Sequence, residues 1–238
     1  MRKDGRQLHE PRNLACETQI NRYAEGSCIF EMGHTRVHCT ASVSEDLPRW
    51  RKESGSGWVT AEYRMLPRAT DTRSRREGDK LKGRTAEIQR LIGRALRASV
   101  DLEALGPRLV TIDCDVLQAD GGTRTASVNG GFVAMCLAFQ GLVAAGKLSQ
   151  LPVRHHVAAM SVGIVDGQAM ADLAYEEDFA AEVDLNLVMT KSGAWVEIQG
   201  TAEGEPFSPE QLEAMLSAGS ASLPAVIAAQ ENALETGK

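Results

Sequence analysis

The spacing of apolar residues changes period several times along the chain. Between Arg84 and Asp101, Ile88, Leu91, Ile92, Ala95 and Ser99 share one face, and Arg90, Arg94 and Arg97 share the other. That 3.6-residue period predicts an amphipathic helix. Arg84 breaks the pattern: at the helix start it projects close to the apolar side. An unpaired guanidinium is costly to bury, so this position calls for an anion, either a ligand or a structural carboxylate. From Arg108 to Gln118 the period drops to two, with Val110, Ile112, Cys114 and Val116 alternating with Thr111, Asp113 and Asp115. This predicts a half-buried strand. From about Thr125 to Ala145 the chain is apolar nearly all round, through Val128, Phe132, Val133, Met135, Leu137, Phe139, Leu142 and Val143. Such a helix is central and covered on several sides, and Gly130-Gly131 permits close backbone packing at some cost in helix propensity.

The rest of the chain reads mainly as strands. Gly26–Met32 and Thr35–Val43 predict a hairpin turning at Gly33-His34. Asp46–Gly57 is a loop, and Trp58–Leu66 a short strand. Val157–Val165 pairs with Ala169–Ala174 across Asp166-Gly167, and Val183–Thr190 with Ala194–Gln199 across Ser192-Gly193. Ser208-Pro209-Glu210-Gln211 starts a helix to Ala218, and a last helix runs from about Leu223 to Glu235. Met1–Arg12 is polar and basic, with the texture of a mobile arm. The pattern is α+β with mixed sheets, and residues 1–238 form one compact domain.

Composition narrows the class. Of the residues, 43% are hydrophobic and only 5% aromatic, which suits an aliphatic core rather than a disordered chain. The five cysteines are odd in number and show no C-x-x-C spacing, against a zinc cage or a disulfide framework. The expectation is reduced thiols in the cytoplasm. The N-terminus has no signal-peptide core. The apolar run Phe132–Gly146 falls short of the roughly 20 residues of a membrane span. The net charge of −6 is unevenly spread. Arg49–Arg97 carries 14 Lys/Arg against 6 Asp/Glu, whereas the residues after it carry 6 against 19. A basic segment in an acidic chain fits a local polyanion site, or a solvated basic loop. Its densest part, Arg68 to Arg76, suits phosphate-backbone contact, because the Arg fork matches phosphate oxygens.

Candidate chemistry gathers in two places. Asp120-Gly121-Gly122-Thr123-Arg124-Thr125-Ala126-Ser127 joins the predicted strand to the central helix. Glycines let backbone N–H groups approach a ligand, threonines can cap a first turn, and an arginine completes an anion site. The same residues also fit a tight turn with a capped helix. The second place is the acidic cluster Asp172, Glu176, Glu177, Asp178, Glu182 and Asp184. Glu176 and Glu177 read as acids that solvate a loop. Asp178, in the turn before a strand, and Asp184, at its start, suit Mg²⁺, which takes one or two carboxylates plus substrate oxygens. His34 and His38 are no metal pair, since four residues of strand span about 13 Å. G-x-x-x-x-G-K-[ST] is absent, which excludes a P-loop NTPase.

Five blocks, GWVTAEYRMLPRAT, GRTAEIQRLIGRALR, TIDCDVLQADGGTRTAS, YEEDFAAEVDLNLVM and EIQGTAEGEPFS, resemble the ribonuclease PH family, bacterial phosphorolytic exoribonucleases that trim tRNA 3′ ends. The likeness runs from about Met1 to Glu213 and departs at Lys3, Arg64 and Gln7–Glu10. It implies a fold of two βαβ-type halves, with mixed sheets on central helices, and a homohexamer built as a trimer of dimers. It also implies phosphorolysis. Inorganic phosphate attacks the last phosphodiester and releases a nucleoside 5′-diphosphate, and the reverse reaction adds nucleotides. Within that resemblance Arg84, Gly122, Thr123 and Arg124 bind the phosphate. Asp178 and Asp184 serve Mg²⁺ and catalysis, and Arg68, Arg73 and Arg76 hold tRNA. A non-catalytic RNA-binding ring subunit of the same superfamily is the other functional class, and no membrane partner is expected.

Overall fold

Two sheets enclose one long helix. The computed structural model describes residues 2–76, 78 and 83–236, so Lys80 and Lys82 of the basic segment lie outside the described residues. The first sheet contains β1 (Leu14–Thr18), β2 (Gly26–Met32), β3 (Thr35–Ser44), β4 (Trp58–Met65) and β5 (Leu109–Gln118), in the order β1-β2-β3-β5-β4. β2 and β3 form the expected hairpin, with Met32 opposite Thr35. β4 runs parallel to β5, and helix α1 (Gly83–Ser99) makes the crossover between them. Its apolar face buries Ile88, Leu91, Ile92, Ala95 and Ser99, as the period predicts.

The second sheet contains β6 (Val157–Val165), β7 (Gln168–Ala171), β8 (Val183–Thr190) and β9 (Trp195–Ala202), in the order β7-β6-β8-β9. Every pairing in it is antiparallel. β7 and β8 flank β6, so they run parallel to each other, joined through the short helix α3 (Tyr175–Ala180). Each half thus contains a βαβ-type connection. Asp178 lies within α3 rather than in a turn, and β7 ends at Ala171, three residues before the expected end.

Helix α2 (Thr123–Ala144) packs against β2, β3 and β5 on one side and β6 and β8 on the other. This explains why its sequence is apolar all round. Glycine at 130 lets it approach the first sheet: a Cβ there would lie 2.7 Å from Cys39 Sγ and 2.9 Å from Phe30 Cβ. Length alone does not separate α2 from a membrane span. Both α2 and α4 (Pro209–Thr236) are long and apolar enough to cross a bilayer, but the apolar window of α2 is 83% buried inside the fold.

α4 is one helix where two were expected, with Pro224 inside it. Pro224 removes a helical donor, yet the helix continues through it, with Leu223, Val226 and Ile227 buried around it. The predicted start is a capping box. Gln211 N donates to Ser208 Oγ at 3.2 Å, and Ser208 N donates to Gln211 Oε1 at 2.8 Å.

β7 covers only residues 162–165 of β6. Two side-chain amides take over where it stops. Ala159 N donates to Asn129 Oδ1 at 2.7 Å, and Asn129 Nδ2 donates to Ala159 O at 2.9 Å. Gln230 Nε2 donates to Val157 O at 3.3 Å. Buried backbone groups are thereby satisfied without a strand.

The N-terminal segment is not a mobile arm. Arg2 and Arg12 are among the most buried charged residues of the protein. Arg2 is bound to Glu177, at 2.8 Å from Nε to Oε1, and Arg12 Nη2 to Asp172 Oδ1 at 2.7 Å. Glu177 therefore anchors a chain segment rather than solvating a loop, whereas Glu176 makes an exposed pair with Lys3. All five cysteines are free thiols.

Candidate active site

The loop from Asp120 to Gly122 carries the chain from β5 to α2 in a left-handed conformation, with φ of 74° at Gly121 and 65° at Gly122. Gly121 is also required by space. A Cβ there would come within 2.3 Å of Leu173 O and 3.0 Å of Tyr175 N, so only glycine lets the start of α3 rest on this loop. Thr35 Oγ1 donates to Gly121 O at 2.6 Å and accepts from Asp120 N at 2.9 Å. Arg12 Nη1 donates to Asp120 O, and Arg12 Nη2 to Gly121 O at 3.4 Å.

The threonines do not cap the helix. Gly122 is the N-cap residue, and no side chain caps the first turn. The Thr125 hydroxyl turns back to Gly122 O at 2.9 Å, and the Thr123 hydroxyl meets Tyr63 Oη at 2.9 Å. A helix start without a side-chain cap presents its N–H groups to a ligand, and the helix dipole favours an anion there.

Arg84, Gly122, Thr123, Arg124, Asp178 and Asp184 line one pocket of about 160 Å³. The structure thus brings together the six residues expected to bind phosphate and to serve catalysis. Arg124 is held by Glu87 of α1 at 3.1 Å, and its Nε is buried with no hydrogen-bond partner. Among the described residues no carboxylate lies within ion-pair distance of Arg84, which is exposed. The structural salt bridge that the sequence left open is therefore not formed within the described chain. Ser161, Tyr175 and Asn186 also line the pocket. Sequence reasoning missed them, along with Arg12, Tyr63 and Asp172, which shape the loop from behind. The one local signal for them is the aromatic residue that heads the acidic run Tyr175-Glu176-Glu177-Asp178.

Asp184 stands near the start of β8, opposite Gly163 of β6. Burial pushes its carboxyl up to about 6; Asp178 and Glu203 add to the rise, while Arg124 and Arg84 oppose it. Asp178 is also raised by burial, against the pull of Arg124, Arg84 and Arg12. Two desolvated carboxylates that repel each other, facing two arginines, form a site short of positive charge. Among the described residues no three His, Cys, Asp or Glu side chains cluster as a metal cage. Two carboxylates do suit Mg²⁺, whose remaining positions go to water and phosphate oxygens.

The raised Asp184 carries a stability cost with a definite sign. Between the ordinary carboxylate value and about 6, the unfolded chain ionises while the native one keeps its proton. Native stability therefore falls as pH rises through that window, by up to about 3 kcal/mol. Asp184→Asn is expected to raise Tm at pH 7.5, with the gain vanishing near pH 4. An equal gain at both pH values in thermal unfolding would refute the electrostatic origin.

Arg68, Arg73 and Arg76 are exposed and do not line the pocket. They stand on the segment after β4, which is tied down at its base. Ala119 N donates to Ala69 O at 2.8 Å, and Ser74 N to Pro67 O at 2.9 Å. Thr70 of this segment reaches the pocket wall, so the arginines border the site from outside.

A pocket of two arginines, two aspartates and a bare helix start lies between the two sheets of an α+β domain, an arrangement suited to an anion. The chain belongs to the 3′ exoribonuclease family: residues 10–139 match its domain 1 and residues 155–222 its domain 2. Solved structures share this fold. Rrp46 of rice (Oryza sativa) superposes with a TM-score of 0.80 at 17% identity, covering 98% of this chain and all of that one. The Archaeoglobus fulgidus exosome with RNA bound to the active site gives 0.78 at 22% identity, covering 100% of this chain and 92% of that one. An archaeal exosome core gives 0.77 at 19% identity, covering 97% and 91%.

Proposed function

We propose that this chain is a phosphorolytic 3′-to-5′ exoribonuclease of the bacterial ribonuclease PH type, trimming the 3′ ends of tRNA precursors. The observation that carries this reading is the single pocket in which Arg84, Arg124 and the uncapped start of α2 face Asp178 and Asp184. Two anions, inorganic phosphate and the last phosphodiester, must meet for phosphorolysis, so positioned cations and N–H groups should dominate catalysis. Arg84, Thr123 and Arg124 hold the attacking phosphate against the first turn of α2. Asp178 and Asp184 would hold Mg²⁺, which would supply charge neutralisation at the scissile phosphate. Arg68, Arg73 and Arg76 grip the tRNA body outside the pocket. Phosphate is already a nucleophilic anion, so the site requires no covalent intermediate.

The same reading includes a cytoplasmic setting, as the free thiols suit, and a homohexamer.

The test is incubation with a 3′-extended tRNA, with and without phosphate, in the presence of Mg²⁺. Nucleoside 5′-diphosphates, formed only when phosphate is present, are expected. Monophosphates, or trimming without phosphate, would overturn the reaction assigned here. RNA binding with no trimming at all would point instead to the non-catalytic ring subunit.

A further inference from the structure

We propose that the ring of Tyr175 is the platform on which a nucleobase stacks beside the scissile phosphate. This rests on the exoribonuclease reading and assigns the base subsite of the same reaction. Tyr175 is the first residue of α3 and is 58% exposed, so core packing does not explain its aromatic ring. It lines the anion pocket together with Arg84 and Arg124. It also lines an adjoining cleft of about 500 Å³, whose other wall is Thr70, Asp71 and Thr72 of the arginine segment. Thr70, Ala119 and Tyr175 belong to both spaces, so the cleft opens directly from the pocket. A strand whose last phosphodiester lies between Arg84 and Asp184 has its neighbouring base in that cleft.

The backbone that carries the ring is held against the phosphate loop. Tyr175 N donates to Asp120 Oδ1 at 3.3 Å. The missing side chain of Gly121 lets the backbone of residues 173–175 sit against the loop. One turn later Phe179 places its ring 6.3 Å from that of Tyr175, tilted by 33°. At 82% exposure, Phe179 extends the aromatic surface along α3. Aromatic faces accept any base, because every base has a π-face, and this suits an enzyme that removes successive nucleotides whatever their identity. The charge around the cleft is complementary to RNA, with Arg68 and Arg73 on the segment that forms its far wall.

The experiment compares the full chain with Tyr175→Ala and Tyr175→Trp. Affinity for a fluorescent oligoadenylate is measured without phosphate, and KM for RNA and for phosphate are measured separately during phosphorolysis. Tyr175→Ala should weaken oligoadenylate binding and raise KM for RNA by about 5- to 100-fold, leave KM for phosphate within twofold, and Tyr175→Trp should restore both. Backbone contacts of residue 175 survive the substitution, so the loop is expected to stay in place. Unchanged RNA affinity in Tyr175→Ala overturns the proposal. Equal rises in both KM values also overturn it, since they would mark a structural role. A changed oligomeric state with RNA affinity preserved would show that the ring meets a second copy instead. If the parent binds RNA but does not phosphorolyse it, the functional reading falls, and the binding series still decides the role of Tyr175.

Discussion

Arg124→Ala is expected to lower phosphate-dependent trimming by about 10²- to 10³-fold, the usual loss when one preorganised donor to a developing anion is removed. RNA binding should survive, because Arg68, Arg73 and Arg76 lie outside the pocket. The size of the effect follows from what surrounds the guanidinium. Glu87 holds one end at 3.1 Å, while Nε is buried without a partner. Such a group is oriented before the ligand arrives. Arg124→Lys keeps the charge and loses the fork, so it should recover only part of the activity. A second readout separates charge from shape. Arg124 is one of the cations that hold the Asp184 carboxyl down against burial. Removing it should raise that carboxyl further above its ordinary value, as read by NMR titration of the metal-free protein. Trimming within threefold of the parent, with an unmoved Asp184 titration, would remove Arg124 from the site.

Asp172→Ala should cost about 3–5 kcal/mol, the usual penalty for leaving a buried charge without its partner. At this chain length that corresponds to a Tm lower by roughly 6–20 °C. Asp172 is 0% exposed and Arg12 7%. The Arg12 backbone N, Nε and Nη2 all donate to the one carboxylate, at 2.7, 3.0 and 2.7 Å. Burial would raise Asp172, but the hydrogen bonds and charge of Arg12 outweigh it, and the carboxyl lies below its ordinary value. The stability this confers is present above the ordinary carboxylate range and is lost as pH falls through the lowered value. Asp172 also has a left-handed backbone, with φ of 53°, which asparagine tolerates. The double variant Arg12→Met/Asp172→Asn should therefore be less destabilised than the two single losses predict. Urea unfolding of Asp172→Ala within 1 kcal/mol of the parent would contradict the assignment.

What could be read from sequence was what depends on near neighbours. The one-face period of α1, the alternation of β5 and the turn at Gly33-His34 are local signals, and their boundaries agree with the structure to within about two residues. The all-round apolar character of α2 was enough to place it centrally. The N-terminal segment failed for the opposite reason. Arg2 and Arg12 find their carboxylates 175 and 160 residues away, and no local pattern reports that. Read from sequence, α4 divides at residues 219–222, whereas the helix runs on through them because Gly219, Ser222, Leu223, Val226 and Ile227 are buried on one packed face. The site residues came from the loop composition and the family resemblance. Ser161, Asn186 and Tyr175 escaped because a serine, an asparagine and a tyrosine carry no spacing signature.

The amides of Asn129 and Gln230 have a consequence beyond completing a sheet. Asn129 sits six residues after Thr123, so about 9 Å of helix separates the clasp on β6 from the mouth of the pocket. Because both hydrogen bonds of that clasp go to the one residue Ala159, α2 cannot slide along β6 without breaking them. β6 in turn sets the register of β8, through Gly163 opposite Asp184. The gap between the cationic wall and the acidic wall is thus gauged from deep inside the molecule. Small errors in core assembly should surface first as mis-spaced chemistry, in a protein that still melts as a folded one.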